Sequence, residues 1–277
     1  KYPEASTWLN KRGYRTTLEY LSDMCKMVTE ETKVLPHANP GTMSSREMDS
    51  LKDYNPSMGL MLESTSKRLY EPGGPHELAP SKRPKVRLKT IEIAGKLNIA
   101  FTTGILTGIG ETLEDRVDSL FAIKKLDEEY GHIQEVIVQN FRSKPGTPMA
   151  GQIEPSVMDT MRTAAVTRLI LGPSANIQVP PNLSLKDYPS YLMSGINDWG
   201  GISPITIDYV NPEAPWPQIP DLYKRTKELG FELKPRLPIY PEYLNHDLGF
   251  VPAKLQENIS AISDNDGYVK GGIERYV

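Results

Sequence analysis

Glu63 is the first side chain whose place in the sequence suggests chemistry, because it closes an otherwise apolar run at 57–63. A carboxylate at the end of a buried strand can accept hydrogen bonds from two ribose hydroxyls or from an ammonium group. A buried cationic partner such as Arg87 would instead give Glu63 a structural role. Both interpretations stay open from the residues alone.

A glycine-rich segment at 104–111 offers backbone groups rather than side chains to a ligand. Its glycines would let a ligand approach the main chain, and the N-terminus of the following helix presents free N–H groups. The segment lacks the Gly-Lys-Ser/Thr ending of a P-loop and the Gly-x-Gly-x-x-Gly spacing of dinucleotide-binding loops. A tight turn between strand and helix, with Glu111 stabilising the helix dipole, is the structural alternative.

A second loop, at 142–148, combines two cations with a rigid Pro-Gly turn. Arg142 and Lys144 could bind an anionic or polyhydroxylated substrate. The alternative is a purely structural turn, since proline and glycine together favour one. The sequence does not decide between the two.

The histidines and the cysteine carry weaker signals. His37 has no second histidine near it, which favours a hydrogen-bonded loop residue over a base or a metal ligand. His76 and His132 lie in turn-like surroundings, which predicts solvent exposure. Cys25 is the one cysteine and lies on the apolar face of a predicted helix, so this chain alone can form neither a disulfide nor a multi-cysteine metal site.

Short β-type segments alternate with longer helical ones along the chain. We predict helices over 3–11, 16–31, 44–51, 84–97, 113–130, 155–171, 188–193 and 216–229. We predict strands over 34–39, 57–63, 101–108, 133–141, 176–179 and 195–203. Thr112, three residues before Asp115, forms a variant of the capping box that marks the start of the clearest helix.

Six strands separated by helices indicate βαβ units, and therefore a parallel α/β sheet with helices outside it. An open doubly wound sheet and a closed (βα) barrel both satisfy this pattern. In both folds, chemistry sits at the carboxyl ends of the strands. Polar residues follow nearly every predicted strand, as a ligand-binding mouth requires, among them Asn39, Glu63, Glu111, Gln139, Asn140, Arg142, Asn182 and Asp198.

The composition argues against several classes of partner. A net charge of −3 over 277 residues gives no support to nucleic-acid binding, and no apolar run is long enough to span a membrane. The first residues show no signal-like segment, so the compartment stays open, with a cytoplasmic location favoured. Residues 245–277 have weak periodicity and a Ser-Asp-Asn-Asp-Gly cluster, which is typical of a linker.

Seven motifs taken together resemble a known family. They are LPHANPG at 35–41, SMGLMLES at 57–64, FTTGILTGIGET at 101–112, HIQEVIVQNFR at 132–142, KPGTPM at 144–149, GINDWGGISP at 195–204 and LPIYPEY at 237–243. In this combination they are similar to the radical S-adenosylmethionine deazaflavin synthases, and specifically to the cyclising, CofG-type enzyme or half. The resemblance covers roughly residues 1–244.

This resemblance implies a (βα) TIM-type barrel of the radical S-adenosylmethionine kind. It also implies a 4Fe-4S cluster, held by three cysteines in a Cys-x-x-x-Cys-x-x-Cys loop after the first strand. A 5′-deoxyadenosyl radical from S-adenosylmethionine would abstract hydrogen from a substrate built from tyrosine and a ribitylaminouracil. Ring closure with loss of ammonia would form 7,8-didemethyl-8-hydroxy-5-deazariboflavin, or FO. The implied partners are an electron donor and a hydroxybenzyl-transferring subunit or fused second half.

The sequence departs from this family in having no cluster loop. By resemblance, Lys1 falls just after the second strand, so we expect an incomplete barrel that lacks its first two βα units, with the cluster cysteines upstream of Lys1. Residues 1–244 would form the partial barrel and 245–277 a linker-like tail. Expressed alone, residues 1–277 are expected to be inactive, to bind S-adenosylmethionine poorly, and to aggregate or fold incompletely through open sheet edges.

The resemblance also assigns roles to individual residues. Glu63 would bind the ribose or amino group of S-adenosylmethionine, and Arg87 its carboxylate. The residues expected along the adenine are Gly108, Ile109, Gly110 and Glu111. Those expected to face the substrate are Gln139, Asn140, Arg142, Asn182, Asp198 and Trp199. The alternative is a cluster-free barrel that acts as a lyase or aldolase, for which Lys144 is the nearest lysine, or that only binds a ligand.

Overall fold

The computed structural model describes residues 2–276, in which helices and parallel strands alternate. The helices are α1 (Pro3–Asn10), α2 (Thr17–Glu31), α3 (Ser45–Lys52), α4 (Pro84–Lys96), α5 (Leu113–Tyr130), α6 (Val157–Leu171), α7 (Ile219–Glu228) and α8 (Gln256–Ile262). The strands are β1 (His37–Ala38), β2 (Ser57–Gly59), β3 (Ala100–Thr107), β4 (Ile133–Asn140) and β5 (Ile177–Gln178). Short 3-10 turns occupy several of the connections.

The five strands form one parallel sheet in the order β1-β2-β3-β4-β5. Each strand therefore lies beside the one that precedes it in sequence, and the sheet always winds in the same direction. A doubly wound sheet would reverse its strand order at a switch point. The observed order is that of a (βα) barrel, which confirms the fold class and removes the doubly wound alternative.

Side chains alternate between the two faces of the sheet. Those that point toward the helices build the main core and include Met58, Leu62, Phe101, Ile105, Val136, Val138, Ile177 and Val179. Their neighbours in sequence therefore point into the barrel interior, and several of them keep some solvent contact, among them Met61, Leu106, Ile137 and Gln139. The interior is thus lined by a mixture of apolar and amide side chains.

The capping box predicted at Thr112 is present and fixes the start of α5. The Thr112 side chain accepts from the backbone N–H of Asp115 at 3.1 Å, and the Asp115 carboxylate accepts from the N–H of Thr112 at 2.8 Å. Two otherwise unpaired N–H groups of the first turn are satisfied in this way. The helix ends at Gly131, whose left-handed conformation (φ 60°) suits glycine.

The sixth predicted strand, at 195–203, is reduced to one parallel bridge between Gln178 and Asp198. The Asp198 carboxylate accepts from the backbone N–H of Gly200 at 2.5 Å, and Gly200 has φ +80°. Both features bend the chain out of the extended conformation that a strand needs. The predicted helix at 188–193 is a 3-10 helix, Tyr188–Ser194, and the one predicted from Trp216 begins at Ile219, ahead of Pro220.

A second apolar cluster closes the amino ends of the strands. It joins Leu35 and Ala100 to residues that come late in the sequence: Leu237, Ile239, Phe250, Leu255 and Ile259. Residues beyond 244 thus pack against residues of the sheet region, while the domain boundary expected there stays a prediction. Among residues 2–276, no helix is both long and apolar enough to cross a membrane.

Candidate functional site

Glu63 lies just beyond β2 and is held in an unusual backbone conformation. Its φ of +67° is in the left-handed region, which residues other than glycine seldom adopt. The neighbouring strand holds it there, since its N–H donates to the carbonyl of Gly104 at 3.0 Å and its carbonyl accepts from Leu106 at 2.9 Å. Conformations of this kind cluster at sites where the surrounding structure fixes a functional side chain.

Three cationic or titratable side chains surround the Glu63 carboxylate, and together the four residues form the Glu63 cluster. Lys82 Nζ lies 2.8 and 2.9 Å from the two carboxylate oxygens. Arg87 Nη1 lies 3.0 Å from Oε1, and His76 Nε2 lies 3.1 Å from Oε2. The predicted solvent exposure of His76 is therefore wrong, because His76 packs against Glu63 and is only 7% exposed.

The Glu63 cluster favours an ionised carboxylate and an anionic ligand. Burial alone would raise the pKa of Glu63, but the hydrogen bond from His76 and the charges of Arg87 and Lys82 outweigh it and lower the pKa to about 2. Lys82 and Arg87 therefore both face one ionised carboxylate. The surplus positive charge would attract a further anionic group.

Part of the Arg87 guanidinium could bind such an anionic group. Its Nε donates to the carbonyl of Ser81 at 3.2 Å, and its Nη1 contacts Glu63 and donates to the carbonyl of Met61. No hydrogen bond within residues 2–276 uses Nη2. A guanidinium edge beside a carboxylate is the donor and acceptor set that the zwitterionic end of an amino acid requires, so these residues fit the methionyl part of S-adenosylmethionine.

The glycine-rich segment is held by its own glutamate. The Glu111 carboxylate accepts from the backbone N–H groups of Gly108 at 2.7 Å and Ile109 at 2.8 Å, and Arg116 Nε donates to it at 2.8 Å. Glu111 thus uses the N–H groups that the sequence appeared to offer to a ligand. A Cβ at Gly108 would lie 2.3 Å from a ring carbon of Pro155, so the turn also requires glycine. Contact with adenine by 108–111 stays a prediction.

Two asparagines at the strand ends carry buried acceptors that nothing in the described chain satisfies. Asn140 ends β4 and Asn182 follows β5; they are 4% and 3% exposed. The side-chain oxygen of each has no hydrogen-bond partner. Asn182 is anchored through its nitrogen, which donates to Asp208 at 3.0 Å and to the carbonyl of Ala214 at 3.3 Å. Because a buried unsatisfied acceptor costs about 1–3 kcal/mol, both oxygens fit donors of a ligand.

The remaining substrate candidates fall into two groups. Gln139 points into the interior, on the face of β4 opposite to Asn140. Arg142 donates from Nη1 to the carbonyl of Leu183 at 3.0 Å, which ties together the loops after β4 and β5. Trp199 instead packs edge-on against Tyr188 and donates to Thr226 at 3.3 Å, in the layer between sheet and helices. The structure does not bring Trp199 to the strand ends.

Asp198 belongs to a second buried charge cluster, which sequence analysis missed. Arg236 donates to Asp198 from Nε at 2.5 Å and to Glu135 from Nη2 at 2.9 Å. The Tyr240 hydroxyl donates to Asp198 at 2.7 Å and lies 3.1 Å from Glu135, and Thr102 donates to Glu135 at 3.0 Å. These five residues, the basal cluster, lie toward the amino ends of the strands, away from Glu63. The one signal for this cluster in the sequence was Glu135, a glutamate inside an otherwise apolar strand.

The basal cluster holds two carboxylates for one guanidinium. Burial raises the pKa of Glu135 to about 7, with the neighbouring Asp198 charge adding to the increase and Arg236 opposing it. Glu135 is 4% exposed. A folded molecule therefore keeps one proton in this cluster through the mildly acidic range.

The difference in stability between the protein and its Glu135→Gln variant is expected to depend on pH. Folded Glu135 keeps its proton to about pH 7, whereas the unfolded chain loses it near about 4.3. Its stabilising effect is full below pH 4 and is lost as the pH rises to 7, by up to about 1.4 kcal/mol per pH unit. The variant should therefore gain stability relative to the parent between pH 5 and 7, as measured by urea denaturation.

The comparison with the variant is needed because His132 titrates in the opposite sense. Its side chain is fully buried, contrary to the predicted exposure, and burial lowers its pKa to about 4. Unfolding would let it take up a proton, so its contribution to stability rises with pH. A stability difference that does not change between pH 5 and 7 would contradict the assignment to Glu135.

The described residues do not fit an iron–sulfur cluster. Cys25 is buried in α2, where its Sγ lies 3.6 Å from Asn55 Oδ1. No group of three histidine, cysteine, aspartate or glutamate side chains in residues 2–276 is placed to hold a metal ion. A cluster of the kind that the family resemblance implies would therefore need ligands other than these residues.

Comparison with known proteins adds close relatives. The chain is 52% identical over 270 residues to the 7,8-didemethyl-8-hydroxy-5-deazariboflavin synthase of Methanopyrus kandleri. The aligned region covers 98% of this chain and 80% of that protein. It is 46% identical over 265 residues to the FO synthase of Streptomyces coelicolor, and there it spans only 31% of the longer protein. No family model matches the chain.

Solved structures that are similar share the fold at low sequence identity. Methylornithine synthase aligns with a TM-score of 0.60 and 19% identity, over 78% of this chain and 64% of that one. The hydrogenase maturase HydG aligns with a TM-score of 0.65 and 17% identity, over 89% and 56%. At this identity the likeness concerns the barrel architecture alone.

Proposed function

Because this chain belongs to the family of 7,8-didemethyl-8-hydroxy-5-deazariboflavin synthases, we propose that it forms part of the barrel of a radical S-adenosylmethionine enzyme that makes the deazaflavin FO. The reaction would be the cyclising step, in which an intermediate made from tyrosine and a ribitylaminouracil loses ammonia. The chain spans less than a third of the FO synthases it matches. The hydroxybenzyl-transferring step would therefore belong to the rest of such a protein or to a partner subunit.

The observation that carries this proposal is the pairing of Glu63 with Arg87 at a strand end of a barrel. One carboxylate and one guanidinium, 3.0 Å apart, can bind the ammonium and carboxylate of a single amino acid. Arg87 Nη2 would bind the carboxylate of S-adenosylmethionine. Lys82, the most exposed partner of Glu63, would leave as the ammonium or a ribose hydroxyl takes its place.

Glu111, Asn140 and Asn182 would position the bound S-adenosylmethionine and the substrate. Glu111 fixes the turn at 108–111, along which the adenine would pack. Asn140 and Asn182 would accept hydrogen bonds from N–H or O–H groups of the substrate, which would satisfy their buried oxygens. Bound S-adenosylmethionine would supply hydrogen abstraction, and a reduced iron–sulfur cluster with its electron donor would have to be provided by residues outside this chain.

The proposal is tested with the intact protein that carries this chain, prepared without oxygen. The protein is given S-adenosylmethionine, a reductant and the hydroxybenzyl-ribitylaminouracil intermediate, and the product is identified by mass spectrometry. Formation of FO with release of ammonia is expected. Consumption of the intermediate without ring closure, or turnover that does not need S-adenosylmethionine, would contradict it.

Residues 1–277 expressed by themselves are expected to take up no 4Fe-4S cluster. Their single cysteine is buried and they hold no other suitable ligand set among the described residues. Anaerobic reconstitution with iron and sulfide should leave the chain without cluster absorbance or bound iron, and without FO-forming activity. Stoichiometric iron that survives gel filtration would show that this expectation is wrong.

A further inference from the structure

Gln178 is an interior side chain that belongs to neither the Glu63 cluster nor the basal cluster. It lies in β5 between Ile177 and Val179, both fully buried in the core between sheet and helices. Alternation along the strand therefore turns Gln178 into the barrel. There it stands level with Ile137 of β4 on one side and Asp198 on the other.

Gly200 gives the Gln178 carboxamide a defined place. A Cβ at Gly200 would lie 2.1 Å from Nε2 and 2.9 Å from Oε1 of Gln178, so any larger residue would collide with both ends of the amide. The backbone of Gly200 has φ +80°, which also favours glycine. The close approach fixes the amide against the wall of the interior.

This amide makes no hydrogen bond within the described residues, although the side chain is only 8% exposed. Gln134, on the neighbouring strand, shows the contrast. Its nitrogen donates to Thr102 and to the carbonyl of Pro238, and its oxygen accepts from the N–H of Tyr240. The oxygen and nitrogen of the Gln178 amide are not among the buried polar atoms that lack a partner, so they meet solvent at the interior wall, where a ligand could replace the water. The Gln178 amide is therefore available to form hydrogen bonds with a ligand.

The surroundings define what the ligand can be. Below Gln178, the charges of the basal cluster are paired with one another, so the floor of the interior offers no free ion partner. Above it, Gln139 is a second amide without a side-chain hydrogen bond among the described residues. The free polar groups of this wall are thus neutral amides, which favours an uncharged polar ring over an anion or a cation.

We propose that Gln178 binds the pyrimidinedione ring of the substrate. A carboxamide presents one donor and one acceptor side by side, which complements the adjacent N–H and C=O groups of a cyclic imide. Glutamine and asparagine read the edges of nucleobases through the same paired contact. The inference rests on the proposed function, because it assigns the uracil part of that substrate to the deep wall and leaves Glu63 and Arg87 to S-adenosylmethionine.

The test measures binding of 6-(ribitylamino)uracil to the intact protein by isothermal titration calorimetry. Gln178→Ala should weaken the affinity for this probe 10- to 100-fold, because a site built for a polar edge discriminates strongly when a partner is lost. The affinity for S-adenosylmethionine should not change. Gln152→Ala, in an exposed loop, is the matched control and should leave both affinities as they are.

Two further binding measurements test the role of Gln178 even if Gln178→Ala folds poorly. Gly200→Ala should weaken probe binding as much as Gln178→Ala does, because it displaces the amide without removing it. On the unmodified protein, the N3-methylated probe should bind 10- to 100-fold more weakly than the parent probe, and Gln178→Ala should abolish that difference. Equal affinity of the protein for both probes would overturn the assignment of Gln178. If the unmodified protein binds S-adenosylmethionine but neither probe, the proposed substrate class itself fails.

Discussion

Replacing Arg236 by methionine is expected to lower the free energy of unfolding by about 3–5 kcal/mol, the cost of removing one partner from a buried ion pair. The guanidinium stands between Glu135 and Asp198, both nearly buried, and also stacks over the Tyr240 ring with 4.1 Å between Cζ and the ring centroid. Methionine preserves much of the volume but leaves Asp198 and Glu135 buried side by side without a cation, which forces Glu135 to take up a proton. Urea denaturation at pH 7.5 measures the loss.

A matched set of variants separates charge from packing. Adding Glu135→Gln to Arg236→Met replaces the carboxyl that would otherwise have to take up a proton beside Asp198, so the double variant should recover part of the loss. Arg236→Lys should lie between the parent and Arg236→Met, because lysine keeps the charge but cannot reach both carboxylates with a planar fork. A loss below about 1 kcal/mol in Arg236→Met, in the range of exposed ion pairs, would show that the basal cluster does not stabilise the fold.

The long elements of this fold could be predicted from local pattern. Strands β3 and β4 and helix α5 lie where apolar periodicity and the Thr112 capping box place them. Periodicity was a poor guide at 195–203, where apolar residues suggested a strand. A side-chain contact from Asp198 and the positive φ of Gly200 decide the backbone there, and neither leaves a periodic trace.

The candidate site could be predicted only in part, for a reason of distance along the chain. Glu63 and Arg87 stand out because each has a strand end or a helix start beside it. His76 and Lys82 come from an irregular loop, and nothing local to that loop shows that it folds back onto Glu63. Glu135 and Arg236 are 101 residues apart, so their pairing depends on the chain returning to the amino ends of the strands.

The Glu63 cluster and the basal cluster lie at opposite ends of the strands, and this separates a binding role from a stabilising one. The basal cluster balances its charges internally and joins the late segment around Arg236 to the sheet. The Glu63 cluster has surplus positive charge, a guanidinium edge to which no described residue bonds, and a strained backbone at the opposite ends of the strands. In a (βα) barrel the carboxyl ends of the strands carry chemistry and the amino ends carry stability, and this division matches that rule.

Replacing Glu63 by glutamine is expected to weaken S-adenosylmethionine binding about 10- to 100-fold. Hydrogen bonds to a charged group contribute about 1.5–3 kcal/mol, and each 1.4 kcal/mol is about tenfold in affinity. The substitution keeps the shape of the side chain but removes the charge that would bind the ammonium or the ribose hydroxyls. Because the pKa of Glu63 is about 2, the parent protein should bind equally well from pH 6 to 8 as far as this group is concerned.

Calorimetry with the intact protein measures this loss, and Glu71→Gln, at an exposed position of the following loop, is the control. Glu63→Gln also leaves Arg87 and Lys82 without their partner, so its melting temperature should be recorded beside the affinity. A folded Glu63→Gln protein that binds S-adenosylmethionine like the parent would exclude Glu63 from the cofactor site. Its carboxylate would then serve only to hold Arg87, His76 and Lys82 against the strained end of β2, which is the structural role that the sequence had left open.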